Sequence, residues 1–247
     1  MISFRERMVI FIKKIPGSDL LKKIPILMNL NASMREKYMD SRRKKVQIHG
    51  YEIINVIYEI AQELGIPIWL DWGTLLGYVR ENAIIEHDYD LDFAAWRMEK
   101  ELYASFRKKL RDNGFTLVRE FCRKDLIITE TYEYKEILVD FDYYDGDNTY
   151  AWTYSFDTSD ESIIKTIDGM QQIKGMDVFK FEVTGLNIKE TQYSNGIKCF
   201  VPEHAERRVA EEYGENWCTP IKNHNWKELN NYLLEGFDPA MTGWRKK

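Results

Sequence analysis

His87-Asp88-Tyr89-Asp90-Leu91-Asp92-Phe93 alternates carboxylates with apolar residues and runs on into Ala94 and Ala95. Successive side chains of a strand point to opposite faces, so Asp88, Asp90 and Asp92 share one face while Tyr89, Leu91 and Phe93 share the other. Three bare carboxylates side by side repel one another, and a bound cation offsets that repulsion; oxygen-only ligands suit Mg²⁺ or Mn²⁺ better than zinc. A lone Asp-x-Asp is ordinarily a solvated sheet edge. Here the apolar face implies burial, and Ile137-Leu138-Val139-Asp140-Phe141-Asp142 repeats the alternation on a second strand. Two such strands can bring their acidic ends together, Asp88, Asp90 and Asp92 on one and Asp140 and Asp142 on the other, and three carboxylates on adjacent strands are the least a metal clamp needs.

Outward from this stretch, Pro67 to Trp72 reads as a short strand, and Gly73-Thr74 turns it into a brief helical stretch through Leu75, Leu76 and Val79. Backbone N–H groups at such a turn can hold phosphate oxygens, which makes Gly73 and Thr74 candidate phosphate contacts. Arg80 lies between the turn and the carboxylates and is always charged. It is a further phosphate candidate, with a salt bridge to Glu81 or Glu86 as its competing use. His204, close to Arg207 and Arg208, is a candidate for holding a diphosphate, a solvated helix face being equally compatible with it. His87 reads as a surface histidine at the strand entry. A cation pair among such carboxylates can clamp a phosphate during an in-line displacement.

Apolar positions from Ile48 to Leu64 recur at helical spacing and stop at Gly65; those from Glu99 to Asn113 stop at Gly114. Strands are expected at Tyr89 to Ala95, Phe115 to Phe121, Leu126 to Thr131, Glu136 to Phe141 and Tyr150 to Phe156, and more weakly at Phe179 to Val183 and Lys198 to Val201. A helix is expected from about Pro202 to Tyr213, and a last helical segment near Trp226 to Leu234. Residues 1 to 45 read as two or three short helices broken at Pro16-Gly17 and Pro25. Three units follow: a basic helical appendage at 1–47, a catalytic domain at 48–221 and a helical tail at 222–247.

Residues 1 to 50 hold 12 Lys/Arg and 4 Asp/Glu, against 23 and 36 in the remainder. A basic head of this kind is either solvated and packed on the body, the favoured reading, or in peripheral contact with anionic lipid through residues 1–45. Cys122, Cys199 and Cys218 are odd in number and lack C-x-x-C spacing, so neither a disulfide framework nor a thiolate zinc site is indicated. With no secretory signal or membrane span in view, a cytoplasmic location is expected, with the inner membrane face as the peripheral alternative. No nucleic-acid partner is expected.

Gly73-Thr74-Leu75-Leu76-Gly77-Tyr78-Val79-Arg80, followed after a short gap by His87 to Phe93, resembles the signature of LicD/fukutin-type phosphotransferases. The resemblance extends through Val201-Pro202 to Tyr213-Gly214, Trp217 and Thr219-Pro220, and so covers roughly residues 50 to 221. It departs at Tyr89, where the family commonly has Asp, and at Glu86, where Pro is usual. It implies an α/β (α+β) fold, a nucleotidyltransferase-like mixed sheet with flanking helices. Asp140 takes the place of the family's later Asp, and the resemblance makes it, with Asp90 and Asp92, a catalytic candidate and a metal ligand. Asp140, or second Asp142, would accept the proton of the acceptor hydroxyl. The implied reaction moves a phosphoalcohol, of phosphocholine or polyol-phosphate type, from a CDP-alcohol donor to a hydroxyl of a cell-surface glycan or glycolipid, releasing CMP. Transfer of the nucleotidyl group itself, glycosyl transfer by an Asp-x-Asp enzyme and a non-catalytic binding module are the rival readings.

Overall fold

The protein is seen here as a computed structural model that describes residues 25–220 and 232–246. Helix α1 spans Pro25–Leu64, followed by β1 (Ile68–Leu70), α2 (Trp72–Glu81), β2 (Asp90–Trp96) and α3 (Lys100–Asp112). A run of strands comes next: β3 (Thr116–Arg123), β4 (Leu126–Tyr134), β5 (Ile137–Gly146), β6 (Tyr150–Asp157), β7 (Ile163–Ile167), β8 (Met170–Thr184), β9 (Ile188–Gln192) and β10 (Lys198–Pro202). Helix α4 (Ala205–Tyr213) and strand β11 (Tyr232–Lys246) complete the described elements.

All the strands belong to one sheet of order β4-β3-β11-β8-β6-β5-β2-β1-β10-β9, with β7 added to β8. An additional pairing of β4 with β5 closes β4-β3-β11-β8-β6-β5 into a six-stranded barrel, and β2-β1-β10-β9 extends from β5 as a wing. Among the described strands, only β2 with β5 and β1 with β10 are parallel. The expected nucleotidyltransferase-like mixed sheet with flanking helices is therefore corrected to a mostly antiparallel sheet with a closed barrel. The cause is local. Two residues link β3 to β4 (Lys124 and Asp125), β4 to β5 (Lys135 and Glu136) and β7 to β8 (Asp168 and Gly169), and links that short join only antiparallel neighbours. Lys135 and Glu136 at φ 51° and 65°, and Asp168 and Gly169 at 50° and 78°, take the left-handed backbone that such tight hairpins use.

The wing and the barrel bury separate cores. Ile53, Ile54 and Ile57 of α1 and Phe106 and Leu110 of α3 pack on Leu91, Phe93, Val139 and Phe141, the apolar faces of β2 and β5. Phe121, Ile173, Met176, Val178 and Met241 fill the barrel together with Tyr154 and Phe156. With the helices covering one face of the wing, the carboxylates of β2 and β5 are left on the other.

Two helical expectations are also revised. The amphipathic helix at 48–64 is the second half of one continuous helix that begins at Pro25. Where a helical tail was expected, Tyr232–Lys246 is a strand, because its backbone completes the barrel between β3 and β8; Trp226 lies outside the described residues. The break at Pro16-Gly17 also lies outside them. The helix expected from Pro202 begins at Ala205, Pro202 closing β10 instead.

Candidate active site

Parallel register sets Asp92 beside Asp140 and Ala94 beside Asp142, so the two acidic alternations face the same way. One oxygen from each of Asp90, Asp92 and Asp140 falls within 4.8 Å of the others. Arg119 of β3 reaches across β4, donating from Nη2 to Asp140 Oδ2 at 2.8 Å and from Nε to Thr131 Oγ1 at 2.6 Å. The second oxygen, Asp140 Oδ1, is buried and has no hydrogen-bond partner. A buried anionic oxygen without a donor is costly. A hard divalent cation fits this set, because all three ligands are carboxylates and a cation would satisfy the orphaned oxygen.

The electrostatics agree. Burial, then Asp140 and Asp88, push the Asp90 carboxyl up to about 7. Burial, then Asp90 and Asp140, hold Asp92 well above the usual carboxylate range. Burial lifts Asp88 to about 6 against the pull of Arg80. Asp142 rises to about 7 by burial, opposed by a hydrogen bond from Thr129, and it accepts the Trp72 indole N–H at 2.6 Å. Each carboxylate resists ionising in isolation, and nearby positive charge reverses that tendency.

Helix α2 is stitched to the acidic strand at its first turn. The Asp71 N–H donates to the Asp92 carbonyl at 3.2 Å, and the Asp92 N–H donates to Thr74 Oγ1 at 2.8 Å. Thr74 is buried, so its hydroxyl braces the strand. Gly73 lies directly against the carboxylates: a Cβ there would meet Asp92 Oδ2 at 3.2 Å and Asp88 Oδ2 at 3.7 Å. The same turn carries a strained residue, Trp72, at φ 41°.

A cleft of about 440 Å³ opens over the cluster, and Gly73, Arg80, Asp88, Asp90, Asp92 and Asp142 line it. Arg80 pairs with Glu81 at 2.7 Å. His87 lies on the cleft wall, its carbonyl accepting from Arg43 Nε at 3.2 Å. The structure does not bring His204 here: it borders a separate cavity with Tyr78, Asn82 and Arg207. Tyr213, Trp217, Thr219 and Pro220, from the downstream end of the resemblance, line the same cleft.

Sequence reading missed a buried ionic group behind the cleft. Arg208 Nη2 donates to Asp71 Oδ1 and to the Tyr144 hydroxyl, each at 2.8 Å, while Nη1 meets Glu212 Oε2 at 3.1 Å. Burial lifts the Glu212 carboxyl to about 8 against the pull of Arg208. Arg208 and Glu212 have the i, i+4 spacing of a helical ion pair, but nothing in the sequence ties Asp71, 137 residues away, to them. Arg119 was missed because its partner Asp140 lies on β5, reached across the intervening β4.

The basic run at the end of the head is used within the molecule. Arg43 pairs with Glu36 and Asp40, Lys45 with Glu136, and Arg42 stacks over Tyr38. The lipid contact entertained for residues 1–45 is not supported by these residues, and no described helix is long and apolar enough to cross a membrane.

Residues 65–183 match the family model described as LicD/FKTN/FKRP, nucleotidyltransferase domain. The matched stretch contains the Gly73 turn and both acidic strands, which supports placing the chain with the LicD/fukutin-type family. Among curated relatives, the ribitol-5-phosphate transferases FKTN of Macaca fascicularis and Homo sapiens are each 22% identical over 179 residues, 71% of this chain and 34% of the relative. The Mus musculus protein of that name is 21% identical over 198 residues, 78% of this chain and 39% of its own length. The chain thus spans about a third of the length of these relatives. Among solved structures, the Megavirus polyadenylate synthase is matched at 15% identity and a TM-score of 0.28, over 48% of this chain and 26% of that one. A score that low has no bearing on the fold.

Proposed function

We propose that this chain is a metal-dependent phosphotransferase that moves a phosphoalcohol from a CDP-alcohol donor to a hydroxyl of a glycan, with release of CMP. The observation that carries the reading is the convergence of Asp90, Asp92 and the half-satisfied Asp140 beside the Gly73 turn. That the relatives are ribitol-5-phosphate transferases favours a polyol phosphate, of the ribitol phosphate kind, over phosphocholine.

Asp90, Asp92 and Asp140 would hold Mg²⁺ or Mn²⁺, whose bound charge would neutralise the donor's phosphates and polarise the one under attack. Gly73 has no side chain to obstruct phosphate from approaching the backbone there, and Arg80 offers a guanidinium on the same wall. Arg119 fixes one oxygen of Asp140, and the cluster claims the other. Asp142, raised to about 7 at the edge of the cleft, is therefore the better base for the acceptor hydroxyl. As the acceptor oxygen bonds to the transferred phosphorus, the bond to the CMP oxygen breaks, and the hydroxyl proton passes to Asp142.

The test is CMP release from CDP-ribitol, CDP-glycerol, CDP-choline and CDP-ethanolamine, with Mg²⁺ or Mn²⁺ and glycan acceptors. Release by the wild type, lost in Asp90→Ala and Asp92→Ala, is expected. Release that persists in both variants, or no release together with tight binding of UDP or ATP in place of CDP, contradicts the proposal.

A further inference from the structure

Trp72 is an uncommon residue to find at φ 41°, a backbone region that bulky side chains avoid. Such strain persists only where the surroundings over-determine it. Its neighbours do so from several sides. Asp71, the preceding residue, is fully buried and accepts from Arg208 at 2.8 Å and from the Tyr144 hydroxyl at 2.7 Å. The guanidinium carbon of Arg208 stands 5.2 Å from the Trp72 ring and 4.7 Å from that of Phe181, within reach of a cation–π contact. The Trp72 and Phe181 rings lie 5.3 Å apart. Held in this way, the indole N–H points at Asp142 Oδ2, 2.6 Å away.

We infer that Arg208 and Trp72 are positioning residues for Asp142: Arg208 anchors Asp71 and stacks on Trp72, and Trp72 fixes one carboxylate oxygen so that the other faces the acceptor hydroxyl. The inference rests on the reading of Asp142 as the acceptor's base. It explains why an arginine in the basic run of α4 is buried among Asp71, Tyr144 and Glu212 rather than turned to a donor phosphate. It also explains why a strained tryptophan stands beside a glycine at the head of α2, because only this backbone brings the indole nitrogen back towards β5. One misplaced oxygen is enough to matter, since displacement by about 1 Å can cost on the order of 100-fold in rate.

Two readouts test the inference. In the kinetic one, Trp72→Phe keeps the ring and loses the N–H. Its kcat is expected to fall about 10- to 100-fold, with the donor KM unchanged and no further loss when it is added to Asp142→Asn. A loss that adds in full to that of Asp142→Asn would mean a structural role alone and overturns the inference. In the spectroscopic one, the indole N–H resonance of Trp72, assigned by its disappearance in Trp72→Phe, should lose its downfield position in Asp142→Asn and in Arg208→Lys. Asp71→Asn, which keeps the shape of the anchor, serves if Arg208→Lys does not fold. A resonance unmoved by Arg208→Lys or, failing that, by Asp71→Asn overturns the role of Arg208. If the wild type releases no CMP, the base reading has failed by itself, and the resonance alone decides whether Arg208 holds Trp72 on Asp142.

Discussion

Removing one acidic ligand should stabilise the metal-free protein. Asp90 is pushed up to about 7 by burial and by its acidic neighbours, whereas an unfolded Asp titrates near 3.9. The folded chain thus binds this proton more tightly than the unfolded one, so stability declines as pH rises from about 4 and levels off once pH passes about 7. At about 1.4 kcal/mol per pH unit the full loss is on the order of 4 kcal/mol. Because Asp90 keeps some contact with water, on the order of 2 kcal/mol is a fairer expectation at pH 8. Asp90→Asn escapes this loss, and in a chain of this size it should melt about 4–8 °C above the wild type in EDTA at pH 8, the gap closing at pH 4. Mg²⁺ should raise the wild-type Tm and leave the variant almost unmoved. The assay is thermal unfolding across pH 4–8 with and without the metal. A variant that melts at or below the wild type at pH 8, or a wild-type Tm that does not fall between pH 5 and 8 in EDTA, refutes the reasoning.

Other substitutions probe the frame around the cluster. Gly77→Ala would set a Cβ 2.6 Å from the Ala83 carbonyl and 2.9 Å from Ile85 Cγ1, and should cost about 1–3 kcal/mol in urea unfolding. Thr74→Val takes the acceptor from the Asp92 N–H; a loss of about 1–3 kcal/mol is expected, and unchanged stability would show that the hydroxyl does not brace β2. Arg119→Met frees Asp140 Oδ2 and should lower CMP release on the order of 100-fold, while activity within twofold of the wild type would show that Asp140 needs no anchor.

Elements with a strict local period were legible in the sequence. The alternation at Asp90 to Phe93 and at Val139 to Asp142 gave both acidic strands, and the structure sets them in adjacent parallel register. Helix α3 ends one residue short of its expected stop, Gly114 lying just beyond. The barrel was hidden because closure depends on β11 filling the gap between β3 and β8, contacts between distant segments that no local pattern encodes. One signal was present and unused: Asp168-Gly169, between the Ile163-Ile164 run and Met170, is a strong two-residue hairpin mark. At the site, Asp90, Asp92, Asp142, Gly73 and Arg80 could be named because they lie in or near the alternating stretches. Arg119, Trp72 as the donor to Asp142 and the Asp71–Arg208 pair could not, since their partners lie 21 to 137 residues away in the chain or their role depends on backbone strain. His204 is close to Arg207 and Arg208 in sequence, but it lines a separate cavity with Tyr78 and Asn82.

The most direct measurement is the mass of the acceptor glycan after incubation with the wild-type protein, a CDP-alcohol and Mg²⁺, with nucleotide products followed in the same reaction. A gain equal to one phosphoalcohol, matched by an equal amount of CMP, is the expected result. A gain equal to a cytidylyl group with no CMP, or a transferred sugar with a nucleoside diphosphate released, would contradict phosphoalcohol transfer.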